Sequence, residues 1–210
     1  MPSSHVDPEM QTTSSTSARA FRASLWPVVG LIVSLPFWGP SFTSAGHAQM
    51  PPPTQFDVQA VYLFDFAKFV RWPAGREHDT LTFCIAGERR YAESLARIVE
   101  GEHIGERPLS ARIIERPENV SGCDVLFISD AAKDRLDEFL AASARRPMLT
   151  VSDIPAFLER GGMIKFLPVG NRIRFSVDLR SVSQGGISLS SELLKVAVSV
   201  NGKPAGGGGQ

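Results

Sequence analysis

Past its first 48 residues the chain offers two histidines, two cysteines and a few hydroxyl and carboxylate groups for chemistry. His78 and His103 stand apart, in no HExxH or other ligand-spaced cluster, so no metal site is expected. Cys84 and Cys123 do not form a CxxC motif, which removes the usual dithiol redox centre. There is no GxSxG elbow, no phosphate-binding GxxxxGK loop and no GxGxxG turn. These gaps point away from catalysis and from a bound cofactor.

Three polar constellations still invite a binding role. "ISD" at 128–130 and "VSD" at 151–153 each close an apolar run, and open α/β sheets bind ligands at such strand ends. Ser129, Asp130, Ser152 and Asp153 would form a polar rim there; alternatively they cap the helices that follow. Lys165, Arg172 and Arg174 alternate along a predicted hairpin and would suit a phosphate or a partner's carboxylates, or simply face solvent. The third constellation is "VYLFDFAKFVRWP" at 61–73, dense in aromatic side chains. On a helix, Val58, Tyr62, Phe66, Phe69 and Val70 share a sector that can face a sheet. Asp57, Val61, Phe64, Lys68 and Arg71 fall opposite, with Asp65 at the border. That second face is either covered by the domain's own segments or is an exposed aromatic and charged patch of the kind that binds proteins.

The elements that must position these groups follow from periodicity. Phe56–Val70 reads as a helix stopped at Trp72 and Pro73. "LTFCIAG" (81–87), "CDVLFISD" (123–130) and "RPMLTVSD" (146–153) are continuous apolar runs, the pattern of strands buried on both faces. "LSARIIER" is a further short strand. "RRYAESLARIVEG" and "AAKDRLDEFLAASA" are amphipathic helices, and "IPAFLERGG" a short helical turn. "MIKFLPVGNRIRFSVDL" reads as a β-hairpin with Ile173, Phe175, Val177 and Leu179 inward and Arg172, Arg174, Ser176 and Asp178 outward. "SSELLKVAVSV" is expected to be a final helix with Leu193, Val196, Ala197 and Val200 on one stripe. The order predicts a single α/β domain: a mainly parallel sheet flanked by helices, with a C-terminal hairpin and final helix.

Residues 1–48 read as a secretory signal: Arg19 and Arg22, then the short apolar "LWPVVGLIVSLPFW", then Gly46 and Ala48 before the expected cleavage. A retained N-terminal anchor is the alternative. The expected organisation is signal peptide 1–48, proline-rich lead-in 49–54, domain 55–200 and glycine-rich tail 201–210. The 22 basic and 22 acidic residues cancel, and removing the leader leaves 20 of each, so bulk charge draws the chain to neither nucleic acid nor anionic lipid. In an oxidising compartment an even cysteine count argues for one disulfide, against the alternative of two buried thiols.

"VQAVYLFDFAKFVRWP", "LTFCIAGE", "CDVLFISD", "MLTVSDIPAFLERGGMIKFL", "NRIRFSVDL" and "ISLSSELLKVA", in that order, resemble the YfiR-like family of periplasmic regulatory proteins across roughly Gln55–Val200. The resemblance implies a non-enzymatic periplasmic protein that binds and represses an inner-membrane diguanylate cyclase, or another membrane sensor, and so controls cyclic di-GMP and biofilm. It also implies an outer-membrane lipoprotein as a second partner and a family disulfide at Cys84 and Cys123; a further cysteine pair of some members is absent here. Val61, Phe64, Asp65, Lys68 and Arg71 are the candidate partner-binding residues. A homodimer stays open, and a periplasmic small-ligand sensor, or a hydrolase built on the strand-end rim, is the competing reading.

Overall fold

The computed structural model describes residues 52–73 and 80–202. The expected signal peptide, His78, the start of the lead-in and the residues from 203 onward lie outside the described residues. The elements run α1 (Gln55–Lys68), β1 (Val70–Arg71), β2 (Leu81–Ala86), α2 (Arg89–Val99), β3 (His103–Ile104), β4 (Arg107–Ile114), β5 (Val125–Ile128), α3 (Leu136–Ser143), β6 (Leu149–Ser152), β7 (Ile164–Val169), β8 (Arg172–Asp178), α4 (Leu179–Gln184), β9 (Ser188–Leu189), α5 (Ser191–Val196) and β10 (Ser199–Asn201).

An eight-stranded sheet has the order β10-β8-β7-β6-β5-β2-β4-β3. From β4 to β7 neighbours pair in parallel, whereas β7–β8 and β3–β4 are antiparallel. The predicted α/β class, mainly parallel sheet and hairpin are therefore present. β2, β5 and β6 have almost no solvent face, as their unbroken apolar runs required. One face of the sheet carries Phe83, Ile85, Phe127 and Val151 beneath Leu63 and Phe66 of α1 and Leu95 of α2. The other carries Cys84, Leu126 and Ile128 against Leu136 and Phe139 of α3 and Phe157.

Cys84 and Cys123 are both buried and form a disulfide, with Cα atoms 5.8 Å apart. The two-thiol alternative is thereby set aside. Arg112 on β4 donates to the carbonyls of Asn119 and Ser121, at 3.0 and 2.9 Å, and approaches Cys123 Sγ at 3.3 Å. The guanidinium thus holds the loop that delivers Cys123 to the strand carrying Cys84.

Four expectations are corrected. The last helix stops at Val196, and the segment after it, with Val198 and Val200, runs into an edge strand: Ala197 is extended and the Val198 N–H donates to the Phe175 carbonyl at 2.9 Å. Val196 and Val200 are consequently exposed instead of lining a core stripe. The segment expected to be one helix from Ala131 begins as a 3-10 turn, Asp130–Arg135, before α3. Ser176 and Asp178 are buried, because β10 covers their end of β8: Ser176 accepts from Ser199 Oγ at 2.8 Å, and Asp178 Oδ1 caps α4 through the Arg180 N–H at 2.8 Å. Finally, the inward face of α1 is Ala60, Leu63, Phe66 and Ala67, whereas Phe69, placed in the core by helical projection, ends the helix 37% exposed.

The disulfide closes a loop across 39 positions, which on the chain-entropy model stabilises the fold by roughly 4 kcal/mol. Denaturant titration with and without reductant should show a loss approaching that size, and Cys84→Ala/Cys123→Ala should melt at the reduced protein's midpoint in either buffer.

Candidate functional site

α1 is held more firmly than an amphipathic pattern alone would hold it. Thr54 is its N-cap: Thr54 Oγ1 accepts from the Asp57 N–H at 3.3 Å, and Asp57 Oδ2 accepts from the Thr54 N–H at 2.9 Å, closing a capping box. Asp57 then reaches outward, where Oδ1 accepts from Ser94 Oγ at 2.7 Å and from Arg97 at 3.0 Å, both on α2. One carboxylate therefore satisfies the start of α1 and ties it to its neighbour. The Thr54 hydroxyl above all, then Ser94, the Thr54 N–H and Arg97, holds the Asp57 carboxyl well below the usual range. Further along, Phe66 packs on Phe166 and Phe175 with centroids 5.7 and 4.8 Å away, and Tyr62 OH donates to the Ile173 carbonyl at 3.1 Å.

What α1 leaves outward is a stripe. Val61 is 46% exposed, and Phe64 is partly buried with the Lys68 ammonium 3.7 Å from its ring centroid. Lys68 also pairs with Asp65 at 2.9 Å, and Arg71 continues the exposed side into β1. A shallow groove of about 470 Å³ runs beside it, lined by Pro53, Val58, Val61, Tyr62 and Asp65. The five residues predicted as a partner face thus lie along one side of α1 and its continuation, and the described residues leave much of that side open to solvent.

The strand-end rim is different. β2 leads through α2 to β4 on one side, and β5 leads through α3 to β6 on the other, so the switch point of the sheet lies between β2 and β5. That is where a ligand crevice belongs, and it is filled. Ser129 is 1% exposed, and its Oγ accepts from the Glu88 N–H at 2.9 Å. Gly87, at φ +106°, passes so close that a Cβ there would collide with Ser129 Oγ. Ser152 is buried, donating to the Ile128 carbonyl at 2.6 Å and accepting from the Ile154 N–H at 3.0 Å. Asp153 accepts from the Asp130 N–H at 2.8 Å and from Tyr91 OH at 3.0 Å; burial raises both the Asp153 carboxyl and the Tyr91 phenol. These groups knit the strand-end loops together. The capping alternative holds only in part: Ser129 makes no side-chain cap to the turn that follows it, whereas Ser152 Oγ takes the Ile154 N–H at the start of the next one.

The basic row is divided. Lys165, Arg172 and Arg174 share one face by the hairpin register, but Lys165 Nζ donates to the Pro155 carbonyl at 2.6 Å. Arg172 and Arg174 are exposed, beside a cleft of about 530 Å³ whose walls include Pro53, Tyr62, Pro168 and Ile173. His103 is exposed on β3, its ring nitrogen 3.2 Å from the Gly101 carbonyl.

Sequence reasoning missed the Asp57 junction, although "TQFD" has the capping-box spacing that signals half of it. Ser94 and Arg97, one turn apart on α2, complete it, and nothing local points to them.

The YfiR/HmsC-like family matches residues 56–198. Among solved structures, a conserved domain protein from Vibrio cholerae O1 biovar El Tor is similar at 10% identity and TM-score 0.45, over 70% of this chain and 60% of that one. The ABC domain in complex with L-Trp from Streptococcus pneumonia is similar at 10% identity and TM-score 0.44, over 58% of this chain and 55% of that one. The chain therefore spans less than two thirds of either of these proteins.

Because the folded Asp57 carboxyl titrates below its ordinary value of 3.8, its contribution is complete above that pH and is lost as pH falls through the lowered value. Asp57→Asn should lower the urea midpoint at pH 7, and the gap to wild type should narrow steadily once pH drops below about 4.

Proposed function

Because the chain belongs to the YfiR/HmsC-like family, we propose that it is an exported, non-enzymatic regulator that binds the periplasmic part of an inner-membrane diguanylate cyclase and represses cyclic di-GMP synthesis. The observation that carries the binding face is the outward stripe of α1, with Val61 and Phe64 bracketed by Asp65, Lys68 and Arg71. Its composition, aromatic and aliphatic groups among charges of both signs, suits a protein partner. The helix that carries it is fixed at its start by the Asp57 junction and on its opposite side by the Phe66 contacts, so little ordering is needed on binding. No chemistry is required of such a repressor. A domain that binds the inactive state of its partner better than the active state shifts the equilibrium by that difference in affinity. An outer-membrane lipoprotein competing for the same protein would relieve the repression.

A small-ligand sensor is the second reading. The filled switch point takes away the rim as its seat, and the cleft beside Arg172 and Arg174 is what favours it.

Val61→Asp and Lys68→Glu alter exposed side chains and should leave the melting curve intact. Each should weaken binding to the cyclase's periplasmic domain about thirtyfold, the loss of an interface anchor worth about 2 kcal/mol, and raise cellular cyclic di-GMP. Unchanged binding and unchanged cyclic di-GMP in folded variants would remove α1 as the docking face.

A further inference from the structure

The apolar cover on the α3 face of the sheet stops at β6. Thr150 stands in register with Leu126, which belongs to the core beneath α3, yet the position is polar. Beside it a cleft of about 630 Å³ opens between the end of α3, the turn at Arg160 and Gly161, and α4. Its floor is buried and polar, with Thr150 2% exposed and Ser181 7%. Thr150 Oγ1 accepts from the Met163 N–H at 3.2 Å, which leaves its own hydrogen to donate. The Ser181 hydroxyl and the exposed Gln184 amide have no hydrogen-bond partner among the described residues.

The rim holds a backbone conformation that its residue does not favour. Ala144 at φ −56° and ψ 136°, Arg145 at φ +59°, and the Arg146 N–H donating to the Ser143 carbonyl at 3.2 Å make a type II turn. Its third position suits glycine or asparagine, and Arg145 is the only non-glycine residue at positive φ among the described residues. The Arg145 side chain is exposed on the wall of the cleft and makes no ion pair or hydrogen bond among the described residues. Strain of this kind collects at ligand clamps, where the side chain has a use that glycine could not supply.

The charges select the ligand. Arg160 Nε donates to Asp137 Oδ1 at 2.7 Å, so that pair is balanced and Arg145 carries the one uncompensated charge of the lining. A guanidinium takes a carboxylate through two parallel hydrogen bonds and is balanced by its single charge. A phosphate dianion would set its second charge near Asp137. The end of α3 adds little repulsion, because the Leu140, Ala141 and Ser143 carbonyls already accept from Ser143 Oγ and the Ala144 and Arg146 N–H groups. The remaining hydroxyl and amide groups suit a ligand that carries hydroxyls of its own. We propose that this cleft binds a small hydroxylated carboxylate of the sugar-acid class, its carboxylate on Arg145 and its hydroxyl groups on Thr150, Ser181 and Gln184. The site lies with the α3 face of the sheet, away from the α1 stripe, and stands whether or not α1 docks a partner.

Isothermal titration of the purified protein with glucuronate and galacturonate, and separately with glucose and glucose 6-phosphate, tests this. At least one uronate should bind saturably, about tenfold or more tighter than glucose or glucose 6-phosphate. Arg145→Gly relieves the turn, so it should raise the melting midpoint by about 3 °C while weakening uronate binding about tenfold or more. Gln184→Glu changes an exposed side chain and should fold as wild type with a similar loss of affinity, whereas Arg172→Ala, at the other cleft, should bind as wild type. The proposal is overturned by the absence of saturable uronate binding, by glucose 6-phosphate binding as tightly, by wild-type affinity in Arg145→Gly or Gln184→Glu, or by loss of binding in Arg172→Ala.

Discussion

Three strands with no solvent face set the terms for the rest of this molecule. β2, β5 and β6 can exist only with apolar cover on both sides, and α1 and α2 supply it on one face, α3 and the turn around Phe157 on the other. Their starting ends are stitched by a buried carboxylate. Asp124 accepts from the Thr82 N–H at 2.8 Å and from Arg107 at 3.2 Å, its own N–H donates to the Thr82 carbonyl, and its carbonyl accepts from Leu149. A charge removed from water needs such partners, and losing either would leave it uncompensated. The paired register of the central strands and the burial of Asp124 are thus one arrangement.

At the opposite ends of these strands the same economy closes the place where a doubly wound sheet would take a ligand. Gly87 admits the Ser129 side chain, which satisfies Glu88, while Asp153 gathers Asp130 and Tyr91. Side chains that could have met a ligand meet one another, and large apolar groups left exposed among the described residues lie elsewhere, on α1 and after Leu194. A surface of that kind suits association with another protein better than it suits catalysis.

How legible this was in the sequence depended on how local each cause is. The buried strands, the α2 stripe and the hairpin around Gly170 and Asn171 follow from period and turn chemistry within a few residues. The outward side of α1 followed from helical projection, but its inward side was displaced because small residues, Ala60 and Ala67, carry the close approach while Phe69 falls past the last turn. The final strand was misread because "VAVSV" has a stripe at either period, and only the open edge of β8 decides for extension. Ser176 looked like a solvent-facing residue for the same reason, since Ser199 of β10 covers it from 23 positions away, whereas Asp178 was misread locally: it is the N-cap of α4, which begins at the next residue.

The position of the disulfide bears on any redox control of the outward surface. Cys84 and Cys123 lie with the α3 face of the sheet, whereas the α1 stripe stands on the other face, with Phe83, Ile85 and the rest of the first core between them. Reduction therefore touches no group of the stripe directly. Its effect has to pass through the stability of the loop that Arg112 holds, and through that loop to the register of β2 and β5 beneath α1. A redox response at the α1 face would accordingly follow loss of fold stability instead of preceding it, and a variant stabilised elsewhere should keep that face intact with the thiols reduced.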